Sequence, residues 1–393
     1  MERQTICVIG GGLTGLITAL TLVKLNLKID LITDNIEKNI KTNRTTAISQ
    51  ENYNFLKKLN IFNSPNSIFW PCSKMKLYSE SSLNNFTEIF ELDNDKKNQE
   101  KIFYMMNNSK IISELLKKVK NEKLIKLKKQ KKVSGIINFG SLKSLKVDDK
   151  NQSKYNLIII CTGSNSDLVK NLFHDEPYKY DYKELGITTI LKHNKIKNNV
   201  TRQIFSNEGI FALLPISDKK TSIVWSVKKK IIKKYEKQKD KFLKNKILLY
   251  TKPFLKNIKI ASKIESKNLN LILRKNFITE RVLLFGEALH EVHPLAGQGF
   301  NMTLRDLTDL EKLLKTKTNL GLDVGSHDIL SEFVRNIKSK NLVYSAGIDL
   351  LKNSFSFENK YLIKFRNSII NSLNKNASAK KIFYNIANKG LRL

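Results

Sequence analysis

The sequence predicts an α/β fold with an α+β second domain and a helical C-terminal segment. Two observations carry this prediction. A strand, glycine loop, helix and strand follow one another within residues 5–34, and an alternating, β-rich stretch runs from about 186 to 227. A chain of 393 residues is long enough for two or three packed domains. Its best apolar run, at residues 157–161, is far shorter than the ~18 residues of a membrane-spanning helix, which excludes a membrane bundle.

The first elements form a Rossmann-like unit. An apolar strand at residues 5–9 leads into Gly10-Gly11-Gly12-Leu13-Thr14-Gly15, and a helical pattern and a strand at 28–32 follow. In this motif Gly10 permits the tight turn, Gly12 lets the backbone approach a pyrophosphate, and Gly15 allows helix and strand to pack closely. The start of the helix, at Leu13 and Thr14, offers free N–H groups to the anion.

The residue that binds a ribose hydroxyl is expected ~20 positions after the loop. Asp34 stands 19 residues after Gly15, although Thr33 occupies the more usual register. A glycine-rich turn without a ligand remains the alternative. Because the motif begins so near the first residue, we expect no cleaved targeting peptide before it.

The remaining elements alternate between polar stretches and short strands. We expect surface loops or solvated helix faces at 93–99 and 117–132, and a strand at 155–160 leading into Thr162-Gly163-Ser164. Strands at about 186–227, a lysine-rich helix at 228–250 and a strand at 282–285 follow. The last ~60 residues are amphipathic and helical in pattern.

Cysteine usage and charge limit the class of protein. Cys7, Cys72 and Cys161 are far apart and form no Cys-x-x-Cys pair, which favours a reducing, cytoplasmic compartment. The net charge of +34 comes from 61 lysines and nine arginines spread along the chain, a bias that an AT-rich genome favours. No nucleic-acid-binding signature accompanies it, so we expect no nucleic acid partner. Attraction to an anionic membrane surface is a better functional explanation of the positive charge than binding to nucleic acid.

A second constellation fills residues 286–306, with the sequence GEALHEVHPLAGQGFNMTLRD. This segment resembles the flavin-contacting segment of the aromatic-ring hydroxylases, and is most similar to that of the ubiquinone-biosynthesis hydroxylases. Shorter resemblances extend over most of the chain. They lie at Arg44-Thr45-Thr46-Ala47-Ile48-Ser49, 211–216, 223–226, 345–355 and Arg366-Asn367.

The resemblance implies a fold of the p-hydroxybenzoate hydroxylase type. Its FAD-binding domain would comprise residues 1–75, 100–170 and 272–340. Residues 76–99 and 171–271 would form a β-sheet substrate domain, and 341–393 a C-terminal helical segment. The residues expected to bind non-covalent FAD are Gly10, Gly12, Leu13, Thr14, Gly15, Asp34, Arg44, Gly163, Gly286, Glu287, Pro294, Gly297, Gln298, Gly299, Phe300 and Asn301.

The resemblance also implies the reaction: an FAD-dependent monooxygenase that hydroxylates the ring of a polyprenylated phenol in ubiquinone biosynthesis, with NAD(P)H and O2. No catalytic side chain is assigned, because the chemistry occurs at flavin C4a. No second nucleotide-binding unit appears after residue 100, which fits a reductant that binds transiently. A related flavoenzyme with another reaction, such as prenyl-chain reduction or another aromatic substrate, and a non-catalytic flavin-binding subunit remain alternatives.

Apolar residues of the β-rich region are expected to wall the substrate. The candidates are Phe211, Leu213, Leu214, Pro215 and Trp225, with a second-domain core as their alternative role. Arg202, the only arginine between Arg44 and Arg274, is expected to lie outside the strands that face the ring. An acid substrate would need such a charge beside it.

Three residues depart from the family pattern. Thr162 replaces the aspartate of an Asp-Gly pair, Glu287 replaces a shorter Asp or Asn, and Thr33 replaces a ribose-binding glutamate. The first departure bears on NAD(P)H handling. His290 and His293 could suggest zinc, but no third ligand cluster lies near them, so we expect no metal.

The predicted partners are a lipid-tailed phenol, O2, a membrane surface and other proteins of ubiquinone biosynthesis. The predicted location is cytoplasmic and peripheral on the inner face of the membrane. The segment 342–393 alternates Leu, Ile and Phe with lysines and is the predicted membrane contact, with ordinary packing as its alternative.

Overall fold

The computed structural model describes residues 3–34, 36, 40–62, 65–82, 85–94, 101–129, 132–147, 150–355 and 360–390. The helices in these ranges are α1 (Leu13–Leu22), α2 (Gln50–Lys58), α3 (Pro65–Ile68), α4 (Asn108–Asn121), α5 (Asp167–Leu172), α6 (Lys229–Lys234), α7 (Lys239–Thr251), α8 (Gln298–Asn319), α9 (His327–Ser354), α10 (Lys360–Lys375) and α11 (Ala377–Lys389). Short 3₁₀ turns lie at Val23–Leu25, Glu236–Gln238, Gly286–Ala288 and Leu295–Gly297.

The strands divide among four sheets. In chain order they are β1 (Thr5–Ile9), β2 (Lys28–Thr33), β3 (Thr45–Ser49), β4 (Phe69–Cys72), β5 (Lys74–Ser82), β6 (Asn85–Asp93), β7 (Phe103–Asn107), β8 (Ile125–Lys129), β9 (Val133–Phe139), β10 (Leu142–Val147), β11 (Lys150–Tyr155), β12 (Leu157–Ile160), β13 (Tyr178–Lys192), β14 (Val200–Ser206), β15 (Gly209–Ser217), β16 (Lys220–Lys228), β17 (Lys259–Ile260), β18 (Glu265–Leu273), β19 (Ile278–Thr279), β20 (Val282–Leu284) and β21 (His290–Glu291).

The first sheet is mostly parallel and is of the type found in nucleotide-binding domains. Its order is β19-β20-β12-β1-β2-β8, and all neighbours are parallel except β19 and β20. Buried aliphatic residues fill β1 and β12, as expected for strands covered on both faces. Helices α1, α4, α8 and α9 supply apolar side chains to the same core. The predicted α/β class is confirmed.

One expectation about this sheet was wrong in part. The lysine-rich stretch 117–132 was expected to be surface loop or solvated helix face. Its first residues end helix α4, but Ile125–Lys129 forms the parallel edge strand β8 beside β2. Ile125 is buried in the core, while lysines of the strand reach solvent. An edge strand tolerates this composition because one side of it is unpaired and wet.

The second layer is a large, mostly antiparallel sheet. Its path runs β21-β18-β13-β16-β15-β14-β5-β6, with β17 paired to β13. One face packs on α7, where Ile247 and Tyr250 are fully buried. The opposite face meets a small sheet of order β3-β7-β4. The predicted β-rich second region is therefore present; the residue boundaries of the two domains stay a prediction.

The last ~60 residues are helical over their described part, as predicted. Helices α10 and α11 dock through polar anchors: Arg366 donates to Ser79 Oγ at 3.2 Å, and the carbonyl of Asn388 accepts from Ser49 Oγ at 2.9 Å. None of the helices in the described ranges is long and apolar enough to span a membrane.

Candidate cofactor and active site

The glycine loop after β1 is shaped by two close backbone contacts. A β-carbon on Gly10, whose φ is +123°, would lie 2.5 Å from the carbonyl oxygen of Cys161, and one on Gly15 would lie 1.9 Å from the carbonyl oxygen of Gly10. Neither position has room for a side chain. A β-carbon on Gly12, in contrast, would meet no heavy atom within 4 Å. Gly12 therefore borders open space at the N-terminus of α1, where Leu13 and Thr14 begin the helix.

Two further glycine segments, one after β20 and one after β12, lie beside the glycine loop that follows β1. Gly286 follows β20 with φ +65°, and a β-carbon there would lie 2.7 Å from Thr14 Cγ2. Gly163 follows β12 with φ +85° and, like Gly12, has open space around its missing side chain. The carboxyl ends of adjacent parallel strands thus form one crevice, the usual ligand site of such sheets.

A charged cluster that the sequence did not reveal lies beside this crevice. Lys267 Nζ is 2.7 Å from Glu291 Oε1 and 3.7 Å from Glu287 Oε2. Ser164 donates a hydrogen bond to Glu291, which is buried. Glu287 itself is exposed. No local pattern identifies Lys267, because strand pairing alone brings β18 beside the loop.

The N-terminus of α8 forms the far wall of the site. Gly297, at φ +66°, caps the helix, which begins at Gln298. Pro294 and Gly297 line a cavity, and Gly299 and Phe300 lie in the first turn of the helix. The free N–H groups and dipole of this end are suited to stabilise negative charge.

Asn301 links β3 to α8 through the hydrogen bonds of its side chain. Its side-chain amide donates to the carbonyls of Ala47 and Gly297, at 2.9 and 3.1 Å, and its Oδ1 accepts from Ser49 N at 2.9 Å. Asn301 is fully buried, so this geometry fixes β3 against α8. Gln298 is held similarly, because its Oε1 accepts from Tyr344 Oη at 2.5 Å.

The cavity lies between the small sheet, the large sheet and the loop at 294–297. Every side chain that lines it is uncharged. The lining residues are Thr45, Ala47, Phe103, Met105, Thr201, Gln203, Ala212, Leu214, Val224, Pro294 and Gly297. One predicted substrate-side residue, Leu214, is among them.

The other predicted substrate-side residues lie elsewhere. Phe211, Leu213 and Trp225 point to the opposite face of the large sheet and are buried against α7. Pro215 is buried in β15 outside the cavity lining. Side chains alternate along a strand, so Ala212 and Val224, which are adjacent to these residues, face the cavity instead. The hydrophobicity of this region gave no sign of which face was which.

Arg202 was expected outside the strands that face the ring; it lies in β14, a strand that borders the cavity. Its side chain nevertheless points away, with Cζ 5.2 Å from the centre of the Phe254 ring, while its neighbours Thr201 and Gln203 line the cavity. Asp34, directly after β2, and Arg44, directly before β3, are both exposed. Their contacts to a cofactor stay predictions.

The two loop histidines are bound to carboxylates. His290 Nε2 lies 3.2 Å from Asp306 Oδ2, and His293 Nε2 lies 3.0 Å from Glu184 Oε2. Within the described ranges, no three metal-ligating side chains come together. Burial raises the pKa of the nearby Cys161 thiol to about 12, so this cysteine is protonated at neutral pH and unsuited to a covalent link.

The site fits a dinucleotide whose pyrophosphate rests on α1, since Gly12 and Gly163 leave space for it and the helix end supplies N–H groups. A family model described as an FAD binding domain matches residues 3–319. The chain belongs to this family. It is an FAD-dependent monooxygenase, and FAD is its cofactor.

Curated relatives cover much of this monooxygenase. The chain is 25% identical, over 97% of its length and 90% of the relative's, to a protein of Dictyostelium discoideum named ubiquinone biosynthesis monooxygenase COQ6, mitochondrial. It is 24% identical to the protein of that name from Caenorhabditis elegans, over 87% of this chain and 84% of the relative. It is 26% identical to the ubiquinone hydroxylase UbiL of Rhodospirillum rubrum, over 54% and 49% of the two chains.

Solved structures share the fold. The p-nitrophenol 4-monooxygenase PnpA of Pseudomonas putida matches all of both chains with a TM-score of 0.81 at 14% identity. A single-residue variant of HpxO from Klebsiella pneumoniae, complexed with FAD, matches 98% of this chain and 99% of its own with a TM-score of 0.76 at 12% identity. These likenesses confirm the p-hydroxybenzoate hydroxylase type of architecture.

The cofactor and the polypeptide chain have different roles in this monooxygenase. Bound FAD supplies the redox chemistry and the activation of O2. The backbone at Gly12, Gly163 and Gly286 would hold the cofactor, and the N-terminus of α8 borders the cavity. The large sheet and the small sheet line that cavity with uncharged side chains.

Proposed function

We propose that this monooxygenase hydroxylates the aromatic ring of a polyprenylated phenol in ubiquinone biosynthesis. The observation that carries the proposal is the uncharged lining of the cavity between the loop at 294–297 and Leu214, Val224, Phe103 and Met105. A neutral ring with an apolar tail fits such walls, whereas a carboxylate would meet no cationic side chain among the lining residues. The names of the curated relatives support the same pathway.

The proposed reaction consumes one NAD(P)H, one proton and one O2. One oxygen atom converts a ring C–H into a hydroxyl group, and the other leaves as water with the two reducing electrons of the nicotinamide. The chain's contribution is to hold the ring against the N-terminus of α8 and to keep water out, since the cofactor carries the chemistry.

The test combines a quinone profile with an assay in solution. Cells that lack the protein are expected to lose ubiquinone and accumulate an intermediate one hydroxyl short. Purified enzyme with a prenylated phenol is expected to consume NAD(P)H and form the hydroxylated product. Unchanged ubiquinone would reject the pathway. NAD(P)H consumption with prenyl-chain reduction or another aromatic product would favour a related flavoenzyme, and no consumption with any substrate would favour a non-catalytic flavin-binding subunit.

We further propose that the C-terminal helices rest on an anionic membrane surface, on the inner, cytoplasmic face of the membrane. Within the described ranges, more than half of the exposed large apolar side chains lie between residues 342 and 383. Leu350, Tyr361 and Phe365 are 74%, 85% and 67% exposed. Lysines accompany them, and apolar residues beside lysines suit an interface with anionic lipid. A lipid-tailed substrate would then be collected where it is dissolved.

A further inference from the structure

A buried set of three side chains, Lys352, Glu184 and His293, joins helix α9 to the loop at 294–297. Glu184 Oε1 lies 3.2 Å from Lys352 Nζ, and Glu184 Oε2 lies 3.0 Å from His293 Nε2. The three side chains are 6%, 7% and 1% exposed. Neither the family match nor the motifs of the sequence assign a role to this set, and burying it costs free energy unless its charges are paired.

Each group comes from a different element. Glu184 belongs to β13, at an irregularity where Lys183 adopts φ +56° and the pairing with β18 shifts register. Such a bulge re-aims side chains, and here the carboxylate is buried. Lys352 stands in the last turn of α9. His293 immediately precedes Pro294, which lines the cavity.

Glu184 joins the other two members of the set. The pKa of its carboxyl is lowered: burial would raise it, but the hydrogen bond to His293 and the charge of Lys352 outweigh burial. The carboxylate is therefore charged at neutral pH, and without Lys352 it would be buried with no lysine beside it. The second ring nitrogen, His293 Nδ1, is buried without a hydrogen-bond partner in the described part of the chain, so Glu184 is the group that orients the ring.

Other titratable groups face the set. Tyr182, on β13, packs edge-on against the His293 ring at 5.1 Å, and Lys352 Nζ lies 4.9 Å from the centre of the Tyr182 ring. Burial, together with Asp349 one turn before Lys352 on α9, raises the pKa of Tyr182, so this phenol stays neutral. His290 on the loop is engaged with Asp306.

We infer that Lys352 is a positioning residue for FAD: it holds Glu184, and Glu184 in turn holds His293 and the loop at 294–297 in the shape that binds the cofactor. The inference rests on FAD binding and is independent of the substrate. It assigns α9, far from the nucleotide motif in sequence, a part in holding the cofactor.

The test measures the FAD dissociation constant by flavin fluorescence, with the melting temperature of the apoprotein as the check of folding. Lys352→Met leaves the buried carboxylate of Glu184 without its lysine, and affinity for FAD is expected to fall at least about tenfold. Lys352→Arg keeps the charge beside Glu184 and is expected to bind FAD as wild type does.

Two further variants separate charge from packing. Lys352→Met/Glu184→Gln removes both charges, so it is expected to bind FAD more tightly than Lys352→Met, and to restore a soluble protein if Lys352→Met alone fails to fold. Lys340→Met, on the same helix but 45% exposed and paired with Asp309 at 3.6 Å, is the matched control and is expected to behave as wild type. The inference is overturned if Lys352→Met lowers the melting temperature without changing affinity for FAD, if Lys352→Arg binds as poorly as Lys352→Met, or if the double variant is no better than the single one.

Discussion

The carbonyl oxygen of Gly10 lies 1.9 Å from the position that a β-carbon on Gly15 would occupy, so α1 is packed directly on the end of β1. Gly12, between them, faces no heavy atom within 4 Å and has φ −80°, which any residue can adopt. The three glycines of one motif therefore serve two purposes. Two are required by the protein's own packing, and one leaves room for the cofactor.

Gly12→Leu is accordingly expected to fold and to lose FAD. Its side chain would enter the space of the pyrophosphate, and affinity is expected to fall at least about 100-fold, or ~2.7 kcal/mol. Flavin fluorescence titration measures this, with circular dichroism as the check of folding. Gly15→Ala is the matched variant and is expected to destabilise the fold itself. A Gly12→Leu protein that purifies yellow, with normal affinity, would contradict the assignment.

Leu213 and Leu214 are neighbours in β15 that face opposite sides of the large sheet. Leu213→Ala is expected to cost about 2–5 kcal/mol of unfolding free energy, because it empties a packed core, with little effect on substrate. Leu214→Trp is expected to block the cavity and reduce hydroxylation while FAD stays bound. Urea unfolding and steady-state kinetics separate the two effects. Equal effects of both substitutions on activity would place the substrate elsewhere.

The lowered pKa of the Glu184 carboxyl predicts that part of the folding stability is lost in acid. Its pKa is lowered in the folded protein from an ordinary value of 4.5, so its contribution to stability is fully present above pH 4.5 and is lost as pH falls through the folded value. The Lys352→Met/Glu184→Gln variant is expected to have a shallower loss of melting temperature below pH 4.5 than wild type. Calorimetry between pH 3 and 6 measures it. Identical slopes would show that this carboxyl does not contribute.

Membrane contact is expected to depend on exposed apolar residues of the C-terminal helices. Phe365→Asp, at a side chain that is 67% exposed, is expected to reduce flotation with anionic liposomes severalfold and leave stability unchanged. Phe139→Asp, at a 48% exposed side chain on β9, is the control and is expected to float as wild type does. Point substitution is preferable to truncation, because Arg366 and Asn388 anchor this segment to the rest of the chain. Undiminished flotation of Phe365→Asp would exclude this surface as the contact.

The sequence was sufficient where local chemistry decides structure. The strand–loop–helix at residues 5–22 and the loop around 286–301 use glycines at positions that need positive φ or close backbone approach, and few sequences satisfy those needs by chance. The cofactor and the family follow from these two segments. The β-rich region and the C-terminal helices follow equally from period-2 and period-3.6 patterns.

Only the tertiary structure decided which residues face the site. Leu213 and Leu214 are equally apolar, and nothing local distinguishes the face that packs on α7 from the face that lines the cavity. The lysine-rich strand β8 was likewise hidden, since its place beside β2 depends on a pairing across almost a hundred residues. The set formed by Lys352, Glu184 and His293 was out of reach for the same reason. Long-range packing brings its three members from separate elements, and a sequence pattern records only what lies within a few residues.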